Sequence, residues 1–145
     1  MPIRLAVPKE TITNERRIAL EPGVAKKLVD MGVKVMMQKG AALGSHFSDE
    51  AFEGVDLVDD AASLYQQADV IFKVQPPTPE ELSQIKDGAV IVGFMAAHKN
   101  PDMIKALRFY AWQFCLRVKG NYWVYSHQWG LWLQLAELTP PPDQP

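Results

Sequence analysis

The sequence has little cysteine and almost no surplus of charge. The single cysteine, Cys115, excludes an internal disulfide framework and a cysteine-cluster metal site, and a reducing compartment is its simplest setting. With 15 Lys and Arg against 17 Asp and Glu, the formal net charge of -2 lacks the basic surplus that nucleic-acid binding requires. The three histidines, His46, His98 and His127, form no HExxH-type pair. We therefore expect neither a nucleic-acid partner nor a metal site.

Long apolar runs are also missing. The N-terminal "MPIRLAVPKE" has too short an apolar run for a signal peptide. No stretch approaches the roughly 18 uncharged apolar residues of a membrane helix. The 145 residues suffice for one domain with a real core. We expect a soluble, cytoplasmic protein, or a soluble part of something larger, with no direct membrane insertion.

The glycines form no complete nucleotide-binding fingerprint. "GAALGS", residues 40–45, does not match GxGxxG, and GxxxxGK[ST] occurs nowhere. The favoured interpretation of this stretch is a simple turn.

Short apolar runs alternate with helical segments along most of the chain. The runs are "IRLAV", "VKVMMQ", "VDLV", "DVIFKV", "GAVIVGF" and, less clearly, "FYAWQF". Helix starts carry Pro22, Thr78 with Pro79 and Glu81 in capping-box spacing, and Asn100 with Pro101. The alternation predicts an α/β fold: a mainly parallel sheet with helices on both faces, as in a Rossmann-like or flavodoxin-like lobe.

Ligands of such sheets bind beyond the carboxyl ends of the strands. The segment "PKETITNERRIALEP", residues 8–22, leaves the first strand there, and we call it the arginine loop. Arg17 could fork onto a carboxylate or phosphate. Alternatively, Arg16 and Arg17 pair with nearby glutamates (Glu10, Glu15 or Glu21) and staple the loop.

Two further rim candidates follow later strands. Lys73, inside "VIFKVQPP", either points into a site at the strand end, extends to solvent, or guards an edge strand. His98 follows the fourth strong strand and could act as an acid or base, but no orienting carboxylate is evident, and an ordinary surface-loop histidine is the favoured interpretation.

These segments, in this order, resemble the N-terminal domain shared by alanine dehydrogenase and the alpha subunit of proton-translocating NAD(P) transhydrogenase. The likeness covers residues 2–107 and rests on P-K-E, N-E-x-R and A-L-x-P in the first 22 residues, then on K-V-x-x-P at Lys73. In alanine dehydrogenases, the arginine and the lysine at the positions of Arg17 and Lys73 bind the carboxylate and carbonyl of pyruvate. The acid/base histidine falls at Ala96, with His98 two residues late. "NPDMIKAL" looks more like the transhydrogenase branch.

The resemblance then implies hydride transfer from NADH to NADP⁺, coupled to proton translocation. It also implies NAD(H) as cofactor, and as partners the beta subunit, the remaining alpha-subunit segments and a second alpha lobe in a homodimer. The chain would lie at the inner face of the membrane through those partners. The alternatives are an alanine-dehydrogenase-like enzyme fragment and a non-catalytic subunit-assembly module.

The likeness fades near Arg117, a weak candidate for cofactor binding. In transhydrogenases an arginine opens the loop that touches the nicotinamide, but here Leu116 replaces the preceding proline. All four tryptophans and the proline-rich end follow residue 107. We therefore divide the chain into a family domain, residues 1–117, and an atypical aromatic and Pro-rich tail, residues 118–145. This shift in composition favours a truncated or frame-altered alpha subunit that is inactive alone, with an incomplete NAD site.

Overall fold

The structure is a computed structural model, and it describes residues 1–94, 99 and 102 and the segments 113–118, 121–126 and 131–134. Its elements are, in chain order, β1 (Arg4–Val7), α1 (Pro22–Asp30), β2 (Lys34–Gln38), β3 (Asp56–Val58), α2 (Ala61–Gln67), β4 (Val70–Phe72), α3 (Pro79–Gln84), β5 (Val90–Val92), β6 (Gln113–Val118), β7 (Asn121–Ser126) and β8 (Leu131–Gln134). Two 3₁₀ turns, Leu43–Ser45 and Asp49–Ala51, lie between β2 and β3.

All eight strands of the described residues lie in one sheet, in the order β3-β2-β1-β4-β5-β6-β7-β8. Pairing is parallel from β3 through β6 and antiparallel for β7 and β8. The first six strands have the order of a doubly wound Rossmann sheet. Strands β1 to β3 are added toward one edge, and from β4 onward the strands are added toward the other, so the strand order reverses between β1 and β4. The predicted α/β class with a mainly parallel sheet is confirmed.

Local sequence determines where the helices begin. Pro22 occupies the first turn of α1, and the Asp60 side chain accepts the Ser63 N–H at the start of α2. At α3, Thr78 accepts the Glu81 N–H while the Glu81 side chain accepts the Thr78 N–H, so the predicted capping box is present. Between β2 and β3, Ser48 lies at the start of a single 3₁₀ turn over Asp49–Ala51.

Burial follows the alternation of side chains across the sheet. Leu5, Val7, Val35 and Met37 join a core with Ala25 of α1 on one face. The intervening residues of the same strands are also buried, as are Leu64 and Tyr65 of α2. Both faces of the central strands are therefore covered, as a parallel sheet requires.

The C-terminal part of the sheet extends beyond the sequence prediction. Of the stretch "FYAWQF", the last two residues, Gln113 and Phe114, lie in β6, and the first four lie outside the described residues. β7 and β8, which we did not predict, extend the sheet by antiparallel pairing within the segment named as the tail. The division at residues 117 and 118 stays a prediction.

Candidate functional site

A cavity of about 510 Å³ lies at the carboxyl ends of β4 and β5, beside the arginine loop. The arginine loop contributes Arg17, Ile18, Ala19 and Glu21 to its wall, and the segment after β2 contributes Ser45 and Phe47. The strand ends contribute Phe72, Lys73, Val74, Val92, Gly93 and Phe94. This is the ligand rim that the sheet topology predicts, and it brings Arg17 and Lys73 to one cavity.

Arg17 is held by a neighbouring carboxylate. Its Nε donates to Glu15 Oε1 at 2.8 Å and its Nη2 to Glu15 Oε2 at 2.7 Å, so the pair is bidentate. The Arg17 side chain is 63% exposed, whereas the Glu15 side chain is 6% exposed. Of the five N–H donors of a guanidinium, this pairing leaves the Nη1 group and one Nη2 hydrogen for other partners. The predicted loop-stapling pair therefore exists, and the ligand role of Arg17 stays a prediction.

Glu15 also ties the arginine loop to the segment after β4. Its Oε2 accepts the Gln75 Nε2–H at 2.6 Å, and its Oε1 accepts the Arg17 backbone N–H at 2.9 Å. These bonds, the Arg17 side chain first and Gln75 second, hold the pKa of the Glu15 carboxyl well below its usual range. The Glu15 side chain is therefore a charged carboxylate at neutral pH.

Lys73 is buried among carboxylates. β4 lies between β1 and β5, so Lys73 guards no edge, and its side chain is 1% exposed, so it does not extend to solvent. Its Nζ lies 3.0 Å from Glu81 Oε2 and 3.4 Å from Glu10 Oε2. Both alternatives, the edge guard and the solvent-exposed lysine, are therefore wrong. The sequence also offers Glu10 as an arginine partner, but its carboxylate bonds Lys73.

The two carboxylates have further partners. Glu10 accepts the Val74 backbone N–H, and Glu81 Oε1 accepts the Thr11 hydroxyl at 3.0 Å. Burial, followed by the negative charges of Glu81 and Glu10, raises the pKa of the Tyr65 phenol far above its usual value. We call Glu10, Lys73 and Glu81 the buried ion cluster. It joins the arginine loop, the end of β4 and the start of α3.

The "GAALGS" stretch, to which local sequence gave no site role, lies beside the cavity. Residues 40–47, here called the glycine segment, turn back against the arginine loop. The Gly40 N–H donates to the Asp49 carboxylate at 3.0 and 3.1 Å, and the Ser45 hydroxyl donates to the Arg16 carbonyl at 2.6 Å. A Cβ on Gly44 would lie 3.0 Å from the Arg16 oxygen. The predicted turn exists, and its position beside Arg17 could not be read from local sequence.

The remaining candidates are not tested by these contacts. Ala96 and His98 lie outside the described residues. Arg117 lies in β6, with its Cα in register with Tyr122 of β7, and its cofactor role stays a prediction. Among the residues described, no group of three or more His, Cys, Asp or Glu side chains could hold a metal ion. None of the helices in the described ranges is long and apolar enough to cross a membrane.

Comparison with known proteins identifies the family. A family model for the alanine dehydrogenase/PNT N-terminal domain matches residues 6–111. The chain is 36% identical over 104 residues to NAD(P) transhydrogenase subunit alpha of Haemophilus influenzae, covering 71% of this chain and 20% of that protein. It is 35% identical over 106 residues to alanine dehydrogenase of Bacillus subtilis, covering 72% of this chain and 28% of that enzyme.

The fold is also similar to the crystal structure of transhydrogenase from Sinorhizobium meliloti, with a TM-score of 0.71 and 32% sequence identity. The match covers 78% of this chain and 32% of the transhydrogenase chain. The chain belongs to the alanine dehydrogenase/PNT N-terminal domain family. Its relatives are oxidoreductases of two kinds, transhydrogenase alpha subunits and alanine dehydrogenases. The chain spans less than one third of the length of these curated relatives.

Proposed function

We propose that this chain is the first lobe of an NAD(P) transhydrogenase alpha subunit. In this proposal the complete assembly passes hydride from NADH to NADP⁺, which the beta subunit holds, and couples the transfer to proton translocation. The alpha lobes pair as a homodimer on the cytoplasmic face of the membrane. The residues of this chain supply one wall of the nucleotide site.

One observation carries the choice between the two branches of the family. Ala96 occupies the position where the resemblance places the acid/base histidine of alanine dehydrogenases. Reductive amination of a 2-oxo acid requires proton transfer to the substrate oxygen. Hydride transfer between two nicotinamide rings needs no proton at either reacting carbon, because the hydride leaves one C4 and joins the other. A site without that histidine fits the second reaction.

The described geometry gives this wall a limited set of tasks. The exposed guanidinium of Arg17, fixed by Glu15, offers donors to an anionic or carbonyl oxygen of the dinucleotide. Phe47, Phe72 and Phe94 give the cavity apolar surface that excludes water. The sequence contains no GxGxxG turn, so we assign pyrophosphate binding to a region of the assembly outside these 145 residues.

Two chimeras test the proposal. In one, residues 6–107 replace the matching segment of the Haemophilus influenzae alpha subunit, and the product is combined with the beta subunit of that enzyme. In the other, the same residues replace the matching segment of Bacillus subtilis alanine dehydrogenase. We expect hydride transfer from NADH to an NADP⁺ analogue in the first, and no alanine-dependent reduction of NAD⁺ in the second.

The comparison also has a rescue arm. Ala96→His in the alanine dehydrogenase chimera should restore alanine-dependent turnover if the missing acid/base group is the main defect. Turnover in that chimera without the added histidine, together with an inactive transhydrogenase chimera, would overturn the proposed function. The isolated chain should bind NADH weakly or not at all, which isothermal titration measures.

A further inference from the structure

We propose that Gly44 and Ser45 are positioning residues that fix the Arg17 guanidinium at the rim of the cavity. The significance of Arg17 rests on the proposed function, whereas the positioning itself rests on contacts within the described chain. The "GAALGS" stretch is thus a support for the arginine loop.

The first contact is a close backbone approach. A Cβ added to Gly44 would lie 3.0 Å from the Arg16 carbonyl oxygen, 3.1 Å from its Cα and 3.4 Å from its carbonyl carbon. All three are main-chain atoms, so they cannot rotate away as the end of a side chain could. Any side chain at position 44 must therefore push the arginine loop outward by a few tenths of an ångström. The displaced residue is the immediate neighbour of Arg17.

The second contact fixes the same carbonyl. The Ser45 hydroxyl donates to the Arg16 oxygen at 2.6 Å, and Ser45 also lines the cavity. On the other side, Glu15 accepts two side-chain bonds and one backbone bond from Arg17 and is anchored by Gln75. The backbone around Arg17 is thus held between the glycine segment and the segment after β4.

The glycine segment has its own anchor. Gly40 adopts φ 73°, a conformation that favours glycine, and its N–H bonds Asp49. His46 closes the following 3₁₀ turn at φ 63°. These contacts of the glycine segment do not involve Arg17, as a positioning element requires.

The test measures the Arg17 side chain directly in the full chain. In ¹H–¹⁵N spectra the Arg17 Nε–H, assigned by its disappearance in Arg17→Lys, should exchange slowly because it donates to a buried carboxylate. We expect Ser45→Ala to speed this exchange by about fivefold, the factor that corresponds to about one lost hydrogen bond. Gly44→Ala should speed it too, because its Cβ displaces the Arg16 backbone. Ser45→Thr keeps a hydroxyl and should restore slow exchange.

Gly23→Ala is the matched control. Its Cβ would meet only the Glu21 side-chain oxygen at 3.6 Å, an ordinary contact, so exchange of the Arg17 Nε–H should not change. If Gly44→Ala fails to fold, Ser45→Ala still decides, since it removes only one hydroxyl from a partly exposed turn. Unchanged Arg17 exchange in both variants would overturn the positioning role.

Activity separates this inference from the proposed function. In the transhydrogenase chimera, Ser45→Ala should change the KM for NADH or the kcat in the same direction as Arg17→Lys, with a smaller effect. An inactive chimera combined with faster Arg17 exchange in Ser45→Ala would reject the proposed function and leave the positioning role supported.

Discussion

Replacing Lys73 by Met tests the buried ion cluster most directly. The substitution keeps most of the side-chain volume and removes the ammonium that lies 3.0 Å from Glu81 and 3.4 Å from Glu10. The side chains of the two glutamates are only 9% and 5% exposed, so water cannot replace the lost cation. Removing one partner of a buried ion pair typically costs about 3–5 kcal/mol of the free energy of unfolding.

The structure places the expected cost at the lower end of that range. Glu10 retains the Val74 N–H, and Glu81 retains the Thr11 hydroxyl and the Thr78 N–H. We therefore expect Lys73→Met to lower the free energy of unfolding by about 3 kcal/mol, which corresponds to a fall in Tm of about 10 °C for a chain of this size.

Urea unfolding followed by circular dichroism measures this cost, with the m-value as a check that the unfolding transition is otherwise unchanged. Lys86→Met is the control, because Lys86 bonds Asp69 in a pair whose side chains are 32% and 44% exposed. Such partly exposed pairs contribute about 0–1 kcal/mol. If Lys73→Met costs no more than Lys86→Met, the cluster contributes little to stability and our account of the buried lysine is refuted.

Three further predictions concern single groups. The pKa of Glu15 in the folded chain lies below its unfolded value of about 4.3, so the carboxylate contributes its full stabilisation above that pH. This contribution to the free energy of unfolding is lost as pH falls further. Glu15→Gln should therefore show a smaller loss of stability in acid, measured by urea unfolding at a series of pH values. Thr78→Ala should cost about 1 kcal/mol by removing the α3 cap, whereas Thr78→Ser should keep most of it. The raised pKa of Tyr65 predicts that Tyr65→Phe leaves the ultraviolet phenolate titration near pH 10 unchanged while the protein stays folded; a lost phenolate step would contradict it.

Local rules predicted much of this fold because the deciding residues are close in sequence. The capping box joins Thr78 and Glu81, and the Arg17–Glu15 pair spans two positions. The α/β alternation likewise depends on runs of a few residues. The sequence predicts that Arg17 and Lys73 lie on one rim, because parallel strands end on the same side of the sheet.

Contacts between distant segments could not be predicted in the same way. Glu10 and Lys73 are 63 positions apart, and Ser45 and Arg16 are 29 apart. Both contacts depend on how the arginine loop packs once β1 has β2 and β4 as neighbours. A lysine in an apolar run signals a site or a partner, and the sequence alone does not say which carboxylate bonds it.

The two interactions of Glu81 restrict which residues can replace it. One carboxylate completes the capping box of α3 and pairs with Lys73. Glutamine could preserve the first interaction without the charge, and aspartate could preserve the charge with a shorter reach, so each near neighbour satisfies one requirement only. Glu80, which immediately precedes Glu81, is exposed and takes part in neither the capping box nor the pair with Lys73. In a saturation library selected for folding, position 81 should therefore accept almost no replacement while position 80 accepts most, although both begin as glutamate on the same turn.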